Sequence, residues 1–179
     1  MPTQSTAPTA RPLLQTEPPV LPQNIDPRSL QRLKEAGFQR FRSIEQYQAY
    51  WLLKQRSHHL LYVAGTGSGK TMAYQLAMKS LGPEFQCVLL LPYRSLYSEM
   101  LERMHSFGLS AVHYDPREEF PNAQVIITSP GSLLQNEGLR AGIRASAGGN
   151  KMFAIIFDEA VCSTLFFIDK LKPCLRSTL

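Results

Sequence analysis

Short apolar segments alternate with helical patterns along most of the chain. The apolar segments are nearly continuous, as expected for strands covered on both faces of a parallel sheet. They span Leu60–Ala64, Cys87–Leu91, Gln124–Thr128 and Phe153–Phe157. Helical spacing predicts helices over Lys70–Leu81 and Tyr93–Phe107. Alternating strands and helices predict an α/β fold, a doubly wound domain with a mainly parallel sheet flanked by helices.

Two further helices are predicted before the first strand. Asp26 followed by Pro27 is typical of a helix start, and Gly37 is a natural stop. A second helix is expected to begin at Ser43 and to place three large residues on one face. These residues are Ile44, Tyr47 and Trp51.

The N-terminal segment has a different composition from the rest of the chain. Residues 1–27 contain seven of the 13 prolines, separated by Thr, Ser and Gln. Such a segment buries too little apolar surface to offset the entropy cost of ordering it. We therefore expect a disordered tail over residues 1–27 and one folded domain over residues 28–179.

Composition limits the classes of protein that fit. The 179 residues suit one domain, and the net charge of +5 is compatible with a polyanionic partner. The odd set Cys87, Cys162 and Cys174 indicates neither a disulfide framework nor a zinc site. We find no secretory signal and no apolar stretch near the ~18–20 residues that span a bilayer. A soluble, intracellular protein without a membrane partner is expected.

A glycine-rich segment joins the first predicted strand to the next helix. Its sequence is AGTGSGKT, in which three glycines allow a tight turn and close approach to a ligand. Backbone amides at a helix N-terminus bind phosphates, and the lysine would reach the β- and γ-phosphates of ATP. The predicted cradle consists of Ala64, Gly65, Thr66, Gly67, Ser68, Gly69, Lys70 and Thr71. Thr71 would also hold Mg²⁺, and Ala64 replaces the usual first glycine.

Two carboxylates follow the last predicted strand, in the sequence AIIFDEAV. A phosphate loop needs an acid on a neighbouring strand to hold Mg²⁺, and Asp158 is placed for this role. Glu159 would then orient or deprotonate the attacking water. The alternative is that both acids only cap the following helix, where they favour the helix dipole.

Together these motifs resemble the first motor domain of superfamily 2 helicases of the DEAD/DEAH type. DEAV stands where those proteins carry D-E-x-D or D-E-x-H, and the segment FRSIEQ resembles their adenine-reading glutamine motif. LPYRSL resembles motif Ia, and TSPGSLL resembles motif Ib. The segment GTGSGKTMAYQLAM is similar to RecQ-type enzymes. The resemblance covers about residues 30–170 and implies a RecA-like P-loop NTPase fold.

The resemblance also implies roles for residues outside the phosphate loop. Gln46 would read the adenine edge, although Ser43 and Gln46 also form the pattern of a capping box. Nucleic-acid backbone contacts would come from Arg94, Ser95, Ser129 and Ser132. For these, the alternatives are a solvated helix start at Arg94 and an ordinary turn before a helix at Ser129. The resemblance implies DNA rather than RNA as partner, and the nucleus as location.

The sequence departs from the family pattern after the acidic pair. Val161 replaces the usual His or Asp, which links hydrolysis to movement of the second motor domain. The chain ends at Leu179, before motif III, the second motor domain and the arginine finger. We therefore expect a partial motor lobe, with a partner chain or a downstream segment supplying the second lobe. Phe166 and Phe167 are interpreted as core or unpaired apolar residues rather than as a DNA-sensing loop.

Three functions stay open at this point. The first is an ATP-dependent helicase or ATPase acting on nucleic acid, or the lobe that supplies its ATP site. The second is a truncated nucleotide- and DNA-binding module, or gene remnant, that unwinds nothing. The third is a small P-loop kinase, which the resemblance to motifs Ia and Ib disfavours.

Overall fold

The computed structural model describes residues 20–56, 60, 62, 64–65 and 67–158. The helices are α1 (Pro27–Glu35), α2 (Ile44–Gln55), α3 (Lys70–Leu81), α4 (Tyr97–Ser106), α5 (Pro130–Gln135) and α6 (Glu137–Gly148). The strands are β1 (Gln86–Leu90), β2 (Ala111–His113), β3 (Val125–Thr128) and β4 (Met152–Phe157). A short 3₁₀ turn at Arg94–Leu96 precedes α4.

The four strands form one sheet in the order β2-β3-β1-β4. Every pair in it is parallel, and Cys87 of β1 lies opposite Val125 on one side and Ala154 on the other. All residues of β1 and β3 are buried. The predicted parallel α/β fold is therefore confirmed.

The sheet carries helices on both faces. Successive side chains of a strand point to opposite faces, so Cys87 and Leu89 of β1 pack on one layer and Val88 and Leu90 on the other. The first layer holds buried residues of α1, α2, α3 and α4, and the second holds Leu133, Leu139 and Ile143. Cys87 is fully buried in the first layer, and this burial raises the pKa of its thiol to about 12.

Helix starts before the sheet were predicted correctly. The carboxylate of Asp26 accepts a hydrogen bond from the Ser29 amide at 2.9 Å, which caps α1. Ser43 caps α2 in the same way, accepting from the Gln46 amide at 3.2 Å. Val20 is 91% exposed, whereas Ile25 packs against the core. Residues 1–19 of the predicted tail lie outside the described part.

Asp26→Ala is expected to destabilise the domain by about 1–2 kcal/mol near pH 6, because a helix cap is lost. Burial raises the pKa of Asp26, but hydrogen bonds from Ser29 and Tyr47 outweigh it and hold the pKa at about 2. The unfolded chain therefore takes up this proton first as pH falls. In urea unfolding, the difference in unfolding free energy between parent and variant should shrink as the pH drops from about 4 towards 2.

A substitution at the exposed Gln39 to Ala serves as the control, since it removes no cap. This control should leave the unfolding free energy within about 0.5 kcal/mol of the parent. An equal loss for Asp26→Ala at pH 6 and at pH 2 would contradict a stabilising role for the ionised carboxylate.

Other elements differ from the sequence prediction. The predicted strand Leu60–Ala64 lies partly outside the described residues, and Leu60, Tyr62 and Ala64 are not in a strand. The single helix predicted over Tyr93–Phe107 is instead a 3₁₀ turn followed by α4, although its apolar stripe packs on the core as expected. Helix α6 and the three-residue strand β2 were not predicted.

Candidate nucleotide-binding site

The glycine-rich loop leads directly into the N-terminus of α3. Gly67 and Gly69 have φ angles of +78° and +86°, values that residues with a side chain rarely adopt. Gly69 is the N-cap of α3, and the first amides of a helix lack partners within it. A Cβ added at Gly65 or Gly67 would meet nothing within 4 Å among the described residues. The loop therefore leaves open space beside a helix N-terminus, a position that suits an anion.

The hydroxyl of Ser68 is the one buried side-chain polar atom without a hydrogen-bond partner within the described residues. Burial raises the pKa of the nearby Tyr62 phenol, and Ser68 acts in the opposite direction. The Ser68 hydroxyl therefore lies near the Tyr62 phenol. An unsatisfied buried donor in the loop is compatible with a phosphate oxygen as its acceptor.

The Lys70 ammonium lies over the same loop. Its Nζ donates hydrogen bonds to the carbonyl oxygens of Ala64 at 2.7 Å and Gly65 at 3.0 Å. The positive charge of Lys70 therefore lies against the loop where phosphates would bind. An ammonium group offers three donors, so two loop carbonyls leave capacity for a phosphate oxygen.

Asp158 follows β4, and a chain of contacts joins it to α3. Its amide donates to the Leu90 carbonyl at 3.3 Å, which holds it beside the carboxyl end of β1. Its Oδ2 accepts a hydrogen bond from the Tyr74 hydroxyl at 2.9 Å, and the Thr71 hydroxyl interacts with that same phenol. Burial, followed by the charge of Asp158, raises the pKa of Tyr74 well above its usual value. The phenol is therefore a donor at any ordinary pH.

These contacts bring the predicted metal residues Thr71 and Asp158 to the same side of the sheet. One carboxylate and one hydroxyl fit Mg²⁺, which is commonly held by one or two carboxylates together with substrate phosphates. Within the described residues, no group of three or more His, Cys, Asp and Glu side chains forms a site for another metal. Glu159, Thr66 and Val161 lie outside the described residues, as do Phe166 and Phe167.

Gln46 connects the segment before α2 to the phosphate loop. Its side chain is fully buried, and Oε1 accepts from the Arg42 amide at 2.7 Å. Its Nε2 donates to the Gly69 carbonyl at 2.9 Å, and a Cβ on Gly69 would lie 2.1 Å from that nitrogen. The side chain does not return to the Ser43 amide as in a full capping box. Adenine reading by Gln46 stays a prediction.

Arg42 and Tyr74 contact the site but were not predicted from the sequence. The Arg42 guanidinium donates to the Gly67 carbonyl, so a residue preceding α2 touches the loop. Tyr74 lies three positions after Thr71, within a helix turn of the loop. A phenol within the buried stretch of α3 was the available signal, but its partner is 84 positions away.

The residues predicted to contact nucleic acid follow two adjacent strands. Arg94 and Ser95 are exposed in the 3₁₀ turn after β1, while Ser129 follows β3 and caps α5. The Ser129 hydroxyl accepts from the Ser132 amide and donates to the Ser132 hydroxyl, both at 3.0 Å. Burial raises the pKa of Tyr97, while the Ser129 hydroxyl and the Arg94 charge lower it. Arg94 and Ser129 therefore both lie near the Tyr97 side chain.

A parallel sheet covered by helices, with a phosphate loop at the start of α3, defines a RecA-like P-loop domain. The model of the DEAD/DEAH box helicase family matches residues 43–178, and the chain belongs to that family. No curated protein matches the chain.

Two solved structures are similar in fold. One is the crystal structure of a hypothetical ATP-dependent RNA helicase from Sulfolobus tokodaii, at 24% identity and a TM-score of 0.58 over 85% of this chain. The other is that of the DUF1998 helicase MrfA, at 21% identity and a TM-score of 0.57 over 88% of this chain. The matches cover 47% and 28% of those chains, so this chain spans about half of their length or less. Among the described helices, none has the length and apolar character to cross a bilayer.

Proposed function

We propose that this chain binds ATP with Mg²⁺ and forms the first motor lobe of an ATP-dependent helicase that acts on nucleic acid. The observation that carries the proposal is the hydrogen bond from Tyr74 to Asp158, which holds the acid after β4 against the helix that begins at the glycine loop. That arrangement supplies a phosphate cradle and a metal-binding acid together, which is the minimum for a P-loop nucleotide site. Membership of the DEAD/DEAH box helicase family supports it.

Each residue of the site has a separate task in this proposal. The loop amides and Lys70 bind the triphosphate and offset its charge. Thr71 and Asp158 would hold Mg²⁺, which supplies further positive charge around the transferred phosphoryl group. Glu159 would orient the attacking water and accept its proton. Gln46 would read the adenine edge, an arrangement that requires it to exchange one of its present amide contacts.

We propose DNA as the nucleic acid, on the similarity of the segment Gly65–Met78 to RecQ-type enzymes. The exposed Arg94 and Ser95, together with Ser129 and Ser132 after the adjacent strand, would contact the sugar-phosphate backbone. Such contacts give sequence-independent binding that weakens with salt. A nuclear location and a second motor lobe, supplied by a partner or by further chain, complete this proposal.

Steady-state ATP turnover, measured alone and with single-stranded DNA or RNA, tests this function. Turnover stimulated several-fold by DNA, and less by RNA, is the expected result. Stimulation by RNA alone would contradict the DNA preference and leave the motor function in place. Mg²⁺-dependent ATP binding without turnover under any condition would favour a binding module that does not unwind nucleic acid. Arg94→Ala should reduce the stimulation while leaving basal turnover within about twofold, because it removes one phosphate contact.

A further inference from the structure

The Tyr74 hydroxyl is buried against the acid that follows β4. Tyr74 is 5% exposed, and its hydroxyl lies 2.9 Å from Oδ2 of Asp158. An ionised carboxylate is an acceptor only, so the phenol is the donor in this contact. Charge-assisted hydrogen bonds of this kind are about twice as strong as neutral ones.

Other neighbours of the Tyr74 phenol also favour donation of its hydrogen bond to Asp158. The Met100 sulfur lies 3.8 Å from the hydroxyl and is a weak acceptor, so it does not compete with the carboxylate. The Thr71 hydroxyl interacts with the phenol on the side of the phosphate loop. Tyr74 therefore hydrogen-bonds Asp158, one residue assigned to the metal, and lies one helix turn from Thr71, the other.

We propose that Tyr74 is a positioning residue for the metal, because its hydroxyl fixes Asp158 Oδ2 and thereby orients the carboxylate that would hold the Mg²⁺ of a bound nucleotide. The inference rests on the proposed function and adds a residue to it. Asp158 directly follows the last residue of β4, and its main-chain bond to Leu90 is 3.3 Å long. The Tyr74 hydroxyl adds a hydrogen bond that restrains the Asp158 side chain. Groups that orient metal-binding carboxylates typically contribute about 10–100-fold to metal affinity.

Tyr74→Phe removes only the hydroxyl and tests this inference. Binding of a fluorescent, non-hydrolysable ATP analogue is titrated with Mg²⁺ in the full chain, and binding in excess EDTA is measured in parallel. We expect the Mg²⁺ concentration needed for half-maximal enhancement to rise about tenfold. Binding in EDTA should stay within about twofold, because the loop amides and Lys70 are unchanged. Misfolding would instead weaken analogue binding both in EDTA and in Mg²⁺.

Tyr50→Phe is the matched control. Tyr50 is also fully buried, but its hydroxyl lies 3.3 Å from the neutral Ser80 hydroxyl, away from Asp158. This variant should show the Mg²⁺ dependence of the parent. Equal Mg²⁺ dependence in Tyr74→Phe and Tyr50→Phe overturns the positioning role while the proposed function stands. A parent that binds the analogue without any Mg²⁺ enhancement overturns the metal site itself, and the positioning role with it.

A measurement on the unmodified protein decides the case if Tyr74→Phe fails to fold. Metal binding at Asp158 changes the charge one hydrogen bond away from the phenol, so it should alter tyrosine absorbance. Mg²⁺ is added to the parent saturated with an unlabelled non-hydrolysable analogue, and the near-ultraviolet difference spectrum is recorded at wavelengths longer than the adenine band. A tyrosine difference band is expected in the parent and in Tyr50→Phe. Mg²⁺-enhanced binding without that band overturns the inference.

Discussion

Lys70→Ala should weaken ATP binding by at least about 100-fold, which is ~2.7 kcal/mol or more. The ammonium lies 2.7 Å and 3.0 Å from two loop carbonyls, beside the N-terminus of α3. Removing it takes away a full charge and the charge-assisted hydrogen bond that its free donor would make to the triphosphate. Titration of the full chain with a fluorescent ATP analogue measures the loss.

Lys79→Ala provides a control on the same helix. Lys79 is also on α3, is exposed, and donates to the Phe107 carbonyl at 3.1 Å, remote from the loop. This variant loses the same charge and should bind the analogue within about twofold of the parent, because exposed charges are strongly screened. Equal affinities for Lys70→Ala and the parent would exclude the glycine loop as the phosphate site.

The elements that hold the phosphate site were predictable because local signals mark their ends. Helix α3 begins and ends at the predicted residues, between Gly69 at φ +86° and Gly82 at φ +120°. A glycine with a positive φ angle precedes the helix, and a second one ends it. The buried strands β1 and β3 were also found, because continuous apolar runs of that length fit a parallel sheet.

Helix α6 escaped prediction for a physical reason. Its sequence EGLRAGIRASAG contains glycines and alanines in place of a broad apolar stripe, and only Leu139 and Ile143 are buried. Polar contacts also stabilise the helix. Asn136 caps it, accepting from the Leu139 amide at 2.9 Å, and Arg140 forms an ion pair with Glu137. Phe120 from the preceding loop packs against Gly142, where a Cβ would lie 2.1 Å from the ring. This last contact depends on the tertiary fold, which local periodicity does not encode.

The contacts that join the motifs could also not be predicted from the sequence. Asp158 and Gln46 were selected as separate residues with separate roles. The structure adds that Tyr74 joins Asp158 to α3, and that Gln46 joins the segment before α2 to Gly69. Both contacts cross long stretches of chain, so they follow from the order of the strands and from the packing of α2 on α3.

Glu159→Gln should lower ATP turnover by about 10²–10⁴-fold, the usual contribution of a general base. Glutamine keeps the size of the side chain and its hydrogen-bonding capacity but takes up no proton at neutral pH. Binding of the ATP analogue should stay within about twofold of the parent, because the loop, Lys70 and Asp158 are unchanged. Nucleic-acid-stimulated turnover and analogue affinity are measured on the same preparation, with the exposed Glu102→Gln on α4 as control.

Asp158→Asn distinguishes the roles of the two adjacent acids. Asp158 is the residue that contacts Tyr74, and its loss should abolish the Mg²⁺ enhancement of binding as well as turnover. Glu159→Gln should retain that enhancement and lose only turnover. If both variants lost turnover and Mg²⁺ enhancement together, the pair would act as one metal-binding unit and the base would have to be another group. If Glu159→Gln turned over ATP at the parental rate, Glu159 would be excluded as the base, because no proton acceptor of the required strength would remain at that position.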